Sequence, residues 1–216
     1  MNIKDLLRDA YLLQLKDGFF TVKSLSKLIK RSYSRTFSIL KELQRKNYVK
    51  ILEKRNKGET RYIVDEKGKR QLKVILTAGT YDIIHTGHLK TLEEAKRRGD
   101  ILIVIVARDK TVEKIKGRRP IIPENQRRTI VQSLKPVDFA ILGSEKDFLE
   151  PIEKINPDLI VLGRDQPVNK RKLEEELRKR GLECKVVRLR VWDSSPLAKT
   201  SKIIKKINET FHISNI

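Results

Sequence analysis

Two of the three histidines in this chain, His85 and His88, stand three residues apart around Gly87, in the stretch GTYDIIHTGH that follows the apolar run VILTA. An apolar run, a glycine and then a helix-compatible segment read as a strand turning into a helix. At such a turn the free N–H groups and positive dipole end of the helix face an anion, and Gly79 and Gly87 let the backbone bend sharply and come close to a ligand. Histidines at this spacing add two imidazole donors to the same place. That suits a triphosphate, whose charge grows on the leaving group during displacement. Metal ligation is a second reading of the pair, but no further His, Cys or carboxylate cluster completes the usual three or four ligands. Ordinary packing is the third.

The segment that must position this turn begins near Lys73. Apolar runs predict strands over residues 73–78, 101–107, 139–142, 159–162 and 184–191, with helices over 87–98, 123–134, 147–155 and 168–180 between them. ILIVIVA has no alternation, as a parallel strand covered on both faces requires. A doubly wound α/β sheet over residues 73–216 follows. Its ligands are expected beyond the carboxyl ends of the strands. A last helix over 198–208 is expected to dock Ile203, Ile204 and Ile207 on the sheet.

Residues 1–70 have a different grammar. Ile3, Leu6, Leu7, Ala10 and Leu13 keep helical spacing up to Gly18. A second helix can start from Thr21 and bury Leu25, Leu28 and Ile29. A third, from Ser32 or Ser34, is expected to bury Phe37, Leu40 and Leu43. YVKIL and TRYIV then alternate as a hairpin around Gly58, and residues 65–71 read as a linker. The order resembles a winged helix-turn-helix domain. Residues 1–72 hold 19 Lys and Arg against 8 Asp and Glu, a net of +11, about half the +21 of the whole chain in a third of its length. Duplex DNA is the partner this density suits, with Ser34, Arg35, Ser38 and Lys41 on the third helix and Arg55, Lys57 and Arg61 in the hairpin as candidate contacts. Dimerisation or docking is the alternative use of such a domain.

GTYDIIHTGH also resembles the His-x-Gly-His signature of the cytidylyltransferase-like nucleotidyltransferases, a likeness that spans residues 73–207. More narrowly, ARDKTVEKIKGRRPIIPENQRR, LKPVDFAILGSEKD, PIEKINPDLIVLGRDQ and SKIIKKI look like the archaeal FAD synthetases. The resemblance implies a Rossmann-like nucleotidyltransferase fold and the reaction of FMN with ATP to give FAD and pyrophosphate, with Mg2+ carried in on the triphosphate. It implies that His85 and His88 hold the phosphates and the departing pyrophosphate, with Ala78, Gly79, Thr80, Tyr81 and Gly87 at the phosphate turn. Tyr81 also reads as core. Lys114 and Lys116, in a loop after the second strand of the sheet, would close on the phosphates, with Arg127 and Arg128 at the head of the next helix. Gly163 and Asp165 would meet the nucleoside, and Thr200 and Ser201 the phosphates at a helix start. WDSSPLAKTS departs from the Arg-Thr-x-Gly-x-Ser of the cytidylyltransferase branch. Lys199 then stands in for the arginine, and Ser194 and Ser195 for the hydroxyls.

CTP-dependent transfer to a small alcohol phosphate such as glycerol 3-phosphate is the alternative reaction, and a nucleotide- or flavin-sensing transcription regulator the alternative class. The +21 charge favours an anionic partner, and the single Cys184 cannot form an internal disulfide. No apolar run reaches the roughly 20 residues of a membrane span, so a cytoplasmic protein is expected. A homodimer is compatible with the sequence but not required by it. Trp192 reads as a ring-stacking or packed edge residue.

Overall fold

The computed structural model describes residues 2–55, 59–190 and 193–212. Lys57, Gly58 and Trp192, singled out above, lie outside the described residues. The chain forms two compact units, residues 1–73 and 74–216.

In the first unit α1 (Ile3–Asp17) starts on a capping box between Asn2 and Asp5 and stops at Gly18, in the left-handed region at φ 79°. A second capping box, Thr21 with Ser24, opens α2 (Val22–Ile29), and the Ser32 side chain caps α3 (Tyr33–Arg45). β1 (Val49–Glu53) and β2 (Arg61–Val64) pair antiparallel, and Phe20 adds a bridge to Tyr62. Leu7, Ala10, Leu25 and Leu40 are fully buried between these elements. Two expected core residues are not: Leu28 is 46% and Phe37 37% exposed. Thr36 takes the inward position on α3, its hydroxyl donating to the Ser32 carbonyl at 2.9 Å. The segment read as a linker contains a short helix, α4 (Glu66–Lys69), with Gly68 so close to the Tyr48 carbonyl that a Cβ could not fit.

The second unit is a five-stranded parallel sheet in the order β5-β4-β3-β6-β7. Its strands are β3 (Val74–Gly79), β4 (Ile101–Val106), β5 (Phe139–Leu142), β6 (Leu159–Leu162) and β7 (Lys185–Arg188). Every residue of β4 is buried, which is why its sequence carries no polar alternation. The helices are α5 (Thr86–Lys96), α6 (Asp109–Lys116), α7 (Glu124–Gln132), α8 (Glu150–Ile155), α9 (Lys170–Lys179) and α10 (Thr200–Phe211). The strand order reverses between β3 and β6, so a crevice opens at the carboxyl ends of these two neighbours. Two expectations fail here. The segment after β4 is a helix, α6, rather than a loop, and α10 has no buried residue, with Ile207 39% exposed. Ile203 and Ile204 are half-buried and Ile207 is exposed, so none of them belongs to the buried core.

Candidate active site

The turn from β3 into α5 is held by close packing within the chain. Tyr81 adopts φ 52° and folds its ring back into the core, where it is 4% exposed. Burial pushes its phenol up. A Cβ on Gly79 would lie 2.8 Å from that ring, and one on Gly87 would lie 2.7 Å from the Ala198 carbonyl. Both glycines therefore make room for this chain's own atoms.

His85 is the N-cap of α5, with no side-chain cap bond of its own, and His88 lies in the first turn. Their rings stack with centroids 3.8 Å apart and planes 18° apart, and the Tyr81 ring is 5.2 Å from His88. The Nδ1 atoms of both are buried without a hydrogen-bond partner. Burial lowers the His85 pKa against the pull of Asp193. His88 is driven down to about 3 by burial, by His85 and by Lys116. Two neutral rings, each with one donor and one acceptor, thus stand side by side at a helix start. A buried polar atom left unpartnered is costly, and a polyanion seated at the turn would partner it.

Asp82 organises the wall beside them. Its carboxylate accepts from the N–H groups of Ile121 (3.0 Å) and Ile122 (2.9 Å), drawing that loop towards the turn, and Arg118 stands 3.7 Å away. Lys116 ends α6 near enough to His88 to depress it. Its own pKa is lowered by partial desolvation of its ammonium, despite the side chain's overall exposure, and by Arg118. Lys114 and Lys116 are exposed, and Arg128 is half-buried.

Arg127, expected as a catalytic arginine at the head of the helix now seen as α7, is held inside the chain. It is 0% exposed. Its guanidinium donates to the carbonyls of Ile122 (2.8 Å), Ala107 (2.8 Å) and Thr80 and to Asp109 (2.6 Å). With these bonds Arg127 ties three loops together. Arg108 and Asp109 extend the tie through Glu124 at 2.7 Å each.

The opposite wall comes from the loop after β6 and from the chain before α10. Gly163 donates its N–H to Gln166 Oε1 at 3.0 Å, and the Gln166 amide reaches across to the carbonyl of Ala78, the exposed residue near the end of β3. Asp165 pairs with Lys199 at 2.8 Å. Thr200 and Ser201 open α10, half-buried and exposed respectively. Ser195 gives its N–H (2.9 Å) and hydroxyl (2.6 Å) to Asp193, whose pKa falls to about 2 through Ser195 and Thr86. The hydroxyl expected to serve a ligand is thereby engaged. An open hollow of about 440 Å3 lies between His85, Thr86, Ser195, Pro196, Leu197 and Ile203. Among the described residues no group of three or more His, Cys, Asp or Glu could hold a metal ion.

The Cytidylyltransferase-like family profile matches residues 76–208, more than half of the chain. The chain belongs to the cytidylyltransferase-like family. Relatives include a FAD synthase of Ferroglobus placidus, 53% identical over 136 residues, which are 63% of this chain and 88% of that protein. A FAD synthase of Archaeoglobus fulgidus is 52% identical over 136 residues, 63% of this chain and 98% of that one. A solved structure titled the lipopolysaccharide core biosynthesis protein from Thermoplasma volcanium is 39% identical with a TM-score of 0.54, over 56% of this chain and 99% of that chain. The nucleotidyltransferase expectation is borne out by this membership. Asp82 and Arg188 were the residues missed; Gln166 ends the LGRDQ loop already read as the nucleoside side of the site. Asp82 lies inside the quoted signature, whereas a strand arginine such as Arg188 carries no sequence mark of its contacts.

The first unit lies outside the family match. Ser34, Arg35, Ser38 and Lys41 are all exposed on α3, Lys41 with its ammonium 4.7 Å over the Phe37 ring. Arg55 and Arg61 are not free cations, since both pair with Glu53 at 3.0 Å. Lys57 lies outside the described residues.

Proposed function

We propose that this nucleotidyltransferase is an FMN adenylyltransferase that makes FAD. The observation that carries the reading is the identity of 50–53% to FAD synthases over 133–136 residues. The stacked neutral histidines supply the chemistry. A phosphate oxygen of FMN forms a bond to the α-phosphorus of ATP, and the bond from that phosphorus to the bridging oxygen breaks. The electron pair leaves with pyrophosphate. An ionised phosphate needs no base to attack, so alignment and charge stabilisation carry the rate. His85 and His88 donate N–H groups to the phosphates, the α5 N-terminus adds its dipole, and Lys116 with Lys114 neutralises the charge that builds on pyrophosphate. Mg2+ would enter as part of the substrate and offset charge on the triphosphate. Gly163, Asp165, Thr200 and Ser201 line the nucleotide's path, and the hollow beside His85 accepts its ring. A cytoplasmic location belongs to this reading. No helix among the described residues is long and apolar enough to cross a membrane.

The test is pyrophosphate release from Mg2+ with ATP or CTP and either FMN or glycerol 3-phosphate. Release only with ATP and FMN is expected. Release with CTP and glycerol 3-phosphate instead would replace the reading by the cytidylyl one, and none with any pair would leave a sensor.

A second reading concerns the first unit. The exposed polar and basic face of α3, with the local net of +11, supports duplex DNA as its ligand. Salt-dependent retardation of duplex DNA by the full chain tests it.

A further inference from the structure

The loop after β6 stands where the strand order reverses, the place at which an open parallel sheet receives its ligand. Gln166 spans that crevice, joining Gly163 on the β6 side to Ala78 at the end of β3. What fixes the loop is a residue on the neighbouring strand. Arg188, the last residue of β7, donates Nη1 to the carbonyls of Gly163 (2.8 Å), Gln166 (2.9 Å) and Arg164 (3.2 Å), and Nη2 to that of Val168. One guanidinium thus engages four carbonyls over six residues. A planar fork with five donors can do this, and a three-donor ammonium cannot.

We propose that Arg188 is the positioning residue for the nucleoside half of the site. It holds residues 163–168 as a fixed wall against which the base and ribose of the nucleotide are placed. The inference rests on the nucleotidyltransferase reading and deepens it. Arg188 acts through the loop carbonyls it holds, so its loss lets the wall move and weakens nucleotide binding. The histidine pair and the Asp82-held loop stay in place.

The experiment compares wild type with Arg188→Met, which removes every donor while keeping the length, and with Arg188→Lys. In the FMN adenylylation assay, KM for ATP rises about tenfold or more in Arg188→Met while KM for FMN changes less than about twofold, and Arg188→Lys lies between wild type and Met. A merely structural role would lower the melting temperature without that split. Equal rises in both KM values, or an unchanged KM for ATP, overturn the proposal. If Arg188→Met does not fold, the Lys variant alone decides, an unchanged KM for ATP being the refuting result. Direct calorimetric binding of ATP with Mg2+, in the absence of FMN, reads the same contrast independently of the acceptor. No turnover with FMN by the wild type would therefore refute the flavin reading and still leave Arg188 tested.

Discussion

Protonation of His88 should be a measurable cost of acidifying the protein. Folding lowers its pKa from 6.5 to about 3, chiefly through burial. A group whose folded pKa is depressed takes up its proton more readily in the unfolded chain, so stability is fully present above pH 6.5 and falls as the pH drops towards 3. Between those two values each step of one in pH removes about 1.4 kcal/mol, so by about pH 5, some 1.5 below the unfolded value, His88 removes about 2 kcal/mol. Urea unfolding of wild type and His88→Gln at about pH 7.5 and about pH 5 reads this directly. The wild type should lose about 2 kcal/mol more than the variant over that interval. Equal losses would refute the picture of a neutral, buried His88 stacked on His85. Saturating ATP should shrink the difference, because the polyanion makes the imidazolium favourable where the empty site does not.

Three further outcomes follow from the contacts. Arg127→Met should cost about 3–5 kcal/mol in chemical denaturation, since it strands Asp109 and three carbonyls; loss of turnover with unchanged stability would instead restore a phosphate-binding role. Gly87→Ala, whose Cβ would meet the Ala198 carbonyl at 2.7 Å, should lower stability by about 1–3 kcal/mol and slow pyrophosphate release, and an unaltered thermal unfolding curve would contradict the close approach. Arg35→Ala and Lys41→Ala should each reduce the salt slope of DNA retardation by about 1, with slopes matching wild type ruling out the α3 face.

The regular parts of the fold were legible because their causes are local. Phe139–Leu142 and Leu159–Leu162 form strands at the expected bounds, and Thr21 caps α2. What escaped depended on partners distant in sequence. Leu28 and Phe37 have helical spacing, but which positions are buried, Val22 and Leu25 on α2 and Thr36, Leu40 and Leu43 on α3, is set by how the helices pack together. The histidine pair was found by spacing. Arg127 was found by resemblance, but its burial and its bonds to the carbonyls of Thr80 and Ala107 are invisible in the string PENQRR. Arg188 had no signal, since its four acceptors lie 20–25 positions upstream.

The packing of Gly87 against Ala198 has a bearing on synthesis. One face of the site is made from Thr80 to His88, and the other from the chain around Asp193 to Thr200, about 110 residues later. At about 5–20 residues per second, the ribosome leaves the histidine turn without its opposite wall for several seconds or more. A nascent chain that ends before Asp193 therefore carries both histidines and cannot yet enclose a nucleotide. Nucleotide capture is confined to chains that have been translated past Asp193.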